Sequence, residues 1–87
     1  MRIISQGGNA DLPYEEIALC MASEDIIARH NDKEYLMARY STMDKAQKAM
    51  EMLHITYKGN KVEEVYQEGT NYYHPTFQFP ADEDVKV

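Results

Sequence analysis

Three observations predict an α+β fold in which a predominantly antiparallel β-sheet carries one principal α-helix packed on one face. Apolar segments near Ile17–Ala22, Ile26–His30 and Tyr35–Tyr40 are separated by the turn-forming runs "SED" and "NDK", as hairpin strands are separated by short polar connections. Next, "YSTMDKAQKAMEML" changes from alternation to a helical period. Near the end, "TFQF" returns to alternation, with Phe77 and Phe79 on one face, and Pro80 closes it.

Taken in order, "RIIS" reads as a short first strand, because Ile3 and Ile4 favour an extended, partly buried surface. "QGGNAD" follows as a turn-rich loop in which Gly7 and Gly8 supply positive φ where the chain needs it. It has neither the spaced glycines nor the Lys-Ser/Thr of a phosphate-binding loop. "PYEEIALCMASEDIIARHND" supports two readings. Pro13 followed by Glu15 and Glu16 resembles a helix start. Against it, Ile17, Leu19 and Met21 alternate and "SED" makes a turn, so strands are preferred.

The helix is expected to begin at a cap on Ser41, with Asp44 three residues later completing a capping-box-like pair. Ala46, Ala49, Met50, Leu53 and Tyr57 then share one helical face, and Lys45, Lys48, Glu51 and Lys58 lie mainly off it. Gly59 and Asn60 are the expected stop. "KVEEVYQ" fits a strand or a short helix equally, and "EGTNYYHP" reads as a turn-rich connection. The domain is expected to span residues 1–80, with 81–87 ("ADEDVKV") a flexible acidic tail.

At 87 residues the chain has material for one core. A net charge of −6 disfavours direct nucleic-acid binding, which depends on neutralising phosphates, and suits attraction to a basic partner. Cys20 is the sole cysteine, so no internal disulfide forms and a reducing cytoplasm is the expected compartment. The first residues lack the apolar run of a secretory signal, and Ile17–Ala22 is too short to span a bilayer.

His30, His54 and His74 have no ligand-pair spacing, so no metal or cofactor is expected. Cys20, between Leu19 and Met21, reads as a small apolar core residue rather than a nucleophile. Glu15 with Glu16 and Glu63 with Glu64 are sequence neighbours whose side chains diverge, so neither makes an acid–base pair and no catalytic residue is assigned. Tyrosine is the unusual component, with seven residues and no tryptophan. Tyrosines at this density serve as core-edge residues or as interface anchors. Tyr72, Tyr73 and His74 beside Pro75 form the candidate contact patch, and Asp82, Glu83 and Asp84 a candidate docking tail for a basic partner.

The blocks "MRIISQ", "DLPYE", "YST" leading into "KAQKAMEML", and "FQFPADEDV", taken in that order, resemble a group of small proteins encoded by phages and prophages of Gram-positive bacteria such as staphylococci and streptococci. The resemblance implies an accessory protein of the bacterial cytoplasm and strands ahead of "YST", and it brings no catalytic residues. The expected function is therefore protein binding without chemistry, directed at a host or phage protein. Pairing of strand edges between chains gives a homodimer as a further expectation. Two other classes stand beside it: a DNA-mimicking inhibitor of a DNA-binding protein, which needs a double row of acids on one face, and a small enzyme, which needs a pocket with convergent polar groups.

Overall fold

The computed structural model describes residues 1–66 and 76–87, with side chains given outside 60–66. It has the expected α+β class, with the strands divided between two three-stranded sheets. In the first, β1 (Arg2–Ile4) lies between β2 (Asp11–Pro13), antiparallel, and β6 (Thr76–Gln78), parallel. In the second, β3 (Ala18–Ala22), β4 (Asp25–His30) and β5 (Lys33–Arg39) form an antiparallel meander. One helix, α1 (Met43–Tyr66), joins the two halves.

The meander follows from its two turns. Asn31 and Asp32 both take positive φ, 52° and 64°, the requirement of a type I′ hairpin turn, and these residue types tolerate it best after glycine. Ser23 takes φ 60° ahead of Glu24, which matches a type II′ turn in having only its first central residue left-handed. The strands fall within a residue or two of their expected spans, and the helix alternative for this segment is reduced to a single 3₁₀ turn at Tyr14–Glu16.

A bulge interrupts the β4–β5 ladder. Ile26 pairs with Ala38 and Ile27 with Leu36, which leaves Met37 without an opposite number. The extra residue resets the alternation, so Met37 and Ala38 are both buried while Leu36 and Arg39 face outward.

A single core gathers one side of every layer: Ile3, Leu12 and Phe77 from the first sheet, Ile26, Ala28, Met37 and Ala38 from the second, and Ala46, Ala49 and Leu53 from the helix. Tyr40, Phe79 and Val85 complete it. The small Ala46 and Ala49, both at 0% exposure, let α1 lie close to the strands as their spacing predicts. Tyr57 is half-buried, with its ring edge-on to Tyr14 at 4.7 Å.

Three expectations are corrected. The helix cap is Thr42, the residue directly before Met43, whose Oγ1 accepts from the Lys45 N–H at 3.1 Å, and Ser41 lies one residue further out with its N–H donated to the Asp82 carboxylate at 2.7 Å. The helix does not stop at Gly59 and Asn60 but continues to Tyr66, which also resolves "KVEE" as helical. Gly59 has no positive φ and costs a helix interior only about 1 kcal/mol relative to alanine, too little to end it. Residues 81–87 are not a tail detached from the domain. Asp82–Asp84 form a 3₁₀ turn, Val85 is 2% exposed within the core, and Lys45 Nζ reaches the Asp82 carbonyl at 3.0 Å and its carboxylate at 3.2 Å. The β2 strand is an addition, since its three residues are too short to show alternation.

Tyr40 joins this closure through its hydroxyl, which donates to the Pro80 carbonyl at 2.8 Å. Burial, and secondarily the nearby Asp82 charge, push its pKa from the ordinary 10 up to about 12. A phenol whose folded pKa is raised contributes stability that is complete below the ordinary value and disappears as pH rises through the raised one. The fold is therefore expected to lose stability between about pH 10 and 12, as Tyr40 ionises. Phenolate absorbance followed beside circular dichroism checks this. Ionisation of all seven tyrosines near pH 10 in a folded chain would contradict it.

Candidate functional site

The described part of the molecule offers two surface features: an uncovered sheet face and a cleft. The second sheet turns its inner side to the core, where Ile26 and Ala28 are fully buried, and leaves its other side open. Register fixes what that open face displays. Across its middle run Cys20, Ile27 and Leu36, one from each strand, since Cys20 pairs with Ile27 and Ile27 with Leu36. Leu36 is 50% exposed and Cys20 is exposed, which corrects the expectation of a core thiol. The correction follows from the alternation itself: with Leu19 packed against the core, Cys20 points the other way.

Two ionic rows flank this apolar stripe. On one side, Ala18, Arg29 and Glu34 lie in register, and Arg29 Nη2 meets Glu34 Oε1 at 2.6 Å. On the other, Ala22, Asp25 and Arg39 lie in register, and the Arg39 guanidinium grips both Asp25 oxygens at 2.9 and 3.1 Å. The hydrogen bond from Arg39 holds the Asp25 carboxyl below the usual carboxylate range, and the partners' carboxylates raise both arginines further. Ala18, Cys20, Ile27, Arg29 and Glu34 enclose a shallow depression of about 260 Å³.

The outer edge of this sheet is β3, and among the described residues no strand pairs with its free side. Its sequence, Ala-Leu-Cys-Met-Ala, contains no charge, no proline and no bulge. Those are the devices that usually blunt an exposed edge. Met21 is 37% exposed there.

The opposite edge, β5, is partly closed by Gln6, a residue to which no sequence signal assigns a role. Its N–H donates to the Met37 carbonyl at 2.7 Å, its Oε1 accepts from the Arg39 N–H at 3.1 Å, and its Nε2 donates to the Pro80 carbonyl at 3.1 Å. Between β5 and the β1–β2 loop lies an open cleft of about 640 Å³. Its polar side chains are largely committed within the chain, Ser5 Oγ to Asn9 Oδ1 at 2.8 Å and Asp11 to Arg2 at 2.9 Å.

Of the residues singled out from the sequence, Tyr72, Tyr73 and His74 lie outside the described residues. Asp82 is held by Ser41 and Lys45, and these hydrogen bonds, that of the Ser41 N–H first, keep its carboxyl below the ordinary range. Glu83 and Asp84 are exposed. His30 sits at the end of β4 and His54 on the outside of α1, and no group of three potential metal ligands exists among the described residues. No helix among them is long and apolar enough to cross a membrane. No protein-family model matches the chain, and neither a curated protein nor a solved structure is significantly similar to it.

Proposed function

We propose that the chain is a non-enzymatic accessory protein of a phage or prophage that binds a host or phage protein by adding one of its partner's strands to β3. The observation that carries this reading is the bare β3 edge. Five uncharged residues present backbone donors and acceptors that no strand among the described residues pairs, beside an exposed Met21, and strand addition draws its affinity from such main-chain groups. Glu16 and Glu24 flank the strand at its two ends. They favour an extended segment with basic residues at its margins, in keeping with a net charge of −6. DNA mimicry draws no support from the neighbouring face, where Asp25 and Glu34 are each neutralised by an arginine.

Met21→Lys tests the proposal by placing an inward-pointing charge on the edge, where the existing exposure lets the ammonium reach water. Wild-type protein is expected to retain a stoichiometric partner from a Gram-positive host lysate, with the β3 amides protected from hydrogen exchange in the complex. Met21→Lys should keep the native circular dichroism and lose the partner. Equal retention by both proteins would remove β3 as the site.

A further inference from the structure

The open face of the β3–β4–β5 sheet carries charge in an order that matches itself. Along the row from β3 to β5, one flank reads neutral, positive, negative (Ala18, Arg29, Glu34) and the other neutral, negative, positive (Ala22, Asp25, Arg39). A two-fold axis laid along the apolar stripe and parallel to the face exchanges the two flanks while keeping each strand over its own copy. Arg29 then meets Asp25 of the second copy, and Glu34 meets Arg39. The alanines meet each other, and Cys20, Ile27 and Leu36 each fall on themselves. An axis along the strands gives the opposite result, because it sets Arg29 over Arg29 and Asp25 over Asp25. Only one of the two simple face-to-face arrangements is electrostatically allowed.

We infer that this face packs against a second copy of the chain, sheet on sheet, about the axis that runs through Cys20, Ile27 and Leu36. The inference rests on the reading of the protein as a binding module and names a partner for a different surface: β3 keeps its free edge in such a dimer. Isologous pairing of one self-complementary patch is the usual geometry of homodimers, and complementary rows fix register while penalising the wrong one.

The pairing is weak. Three strands about 4.8 Å apart and five residues long offer roughly 250–400 Å² a side, against about 800 Å² per partner in a standard interface. A Kd on the order of 0.1 mM is expected. Packed sheets stand about 10 Å apart, beyond the reach of a disulfide between the two Cys20 residues, so the dimer is non-covalent and indifferent to reductant.

Charge exchange within a flank tests this without breaking either intrachain ion pair. In D25R/R39E the altered flank would face Arg29 and Glu34 with like charges, and in R29E/E34R the altered flank would face Asp25 and Arg39 with like charges. Sedimentation equilibrium under reducing conditions, up to about 1 mM protein, ten times the expected Kd, should show concentration-dependent dimer for the wild type. Each double variant alone should associate at least about tenfold more weakly. Mixed together, the two variants oppose unlike charges on both flanks and should recover the wild-type affinity as a heterodimer.

Circular dichroism confirms that each variant is folded. A monomeric wild type at the highest concentration overturns the inference, as do variants that dimerise like the wild type or a mixture that does not recover. A monomeric wild type that still captures a partner through β3 removes the dimer and leaves the binding module standing. Recovery in the mixture without any lysate partner does the reverse.

Discussion

Phe79→Ala is expected to destabilise the fold by about 3–5 kcal/mol, the range for emptying a fully buried aromatic site. Phe79 is 1% exposed, stands edge-on to Phe77 at 5.3 Å, and prolongs the first sheet by donating its N–H to the Ile4 carbonyl at 3.1 Å. Removing the ring opens a cavity where the first sheet and the C-terminal segment converge, and it strips the edge-to-face partner from Phe77. A domain of this length has a total stability of roughly 4–13 kcal/mol, so the variant should be near its unfolding midpoint in mild urea. Phe79→Leu, which keeps most of the volume, should recover the larger part. An unfolding free energy for Phe79→Ala, from urea titration, within about 1 kcal/mol of wild type would mean the ring is not the anchor its burial indicates.

Leu53→Ala comes next, at about 2–5 kcal/mol. Leu53 has 0% exposure and lies on the same helical face as Ala46 and Ala49. Because those neighbours are already alanine, each has only a fixed methyl group and cannot swing into the vacancy, which favours the upper part of the range. Ile55, 69% exposed two positions along, provides the control: Ile55→Ala should change stability by no more than about 0.5 kcal/mol. Equal effects at the two positions would overturn the helix orientation.

The parts of this fold that were legible in the sequence are those specified locally. Asn31 and Asp32 declare their turn through their tolerance of positive φ, and Ala46, Ala49 and Leu53 declare the buried helical face through their spacing. What the sequence withholds is set by partners distant along the chain. The pairing of β1 with β6 joins Ile3 to Phe77, and no local pattern at either residue requires the other. Ser41 has a capping side chain, but the helix starts one residue later with Thr42 as its cap, and the Ser41 amide instead ties the distant Asp82 to the helix entrance. Acidic residues 82–84 suggested a solvated tail, yet the single apolar Val85 behind them is enough to fasten the segment.

The open face was the hardest feature to foresee. Its Asp25–Arg39 flank exists only in the register set by the bulge at Met37, since without that extra residue strict alternation would put Arg39 on the inner face. Cys20 was the exception, because the alternation of Ile17, Leu19 and Met21 already carried the signal that it points outward.

The parallel union of β1 with β6 also governs how the chain comes into being. β1 finds one of its two neighbouring strands, β6, only at the far end of α1 and beyond, since Ile3 pairs with Phe77. At about 5–20 residues per second, β1 waits several seconds after its own synthesis, with the apolar side of Ile3 uncovered, before Phe77 is made. The β3–β5 meander and the start of α1 complete their contacts within a short stretch of sequence and can form in that interval. Synthesis therefore divides the molecule into an early-folding centre and a first sheet that closes only when β6 has joined β1 and β2. A chain cut short ahead of Thr76 leaves that sheet without its third strand, and the early centre without its cover.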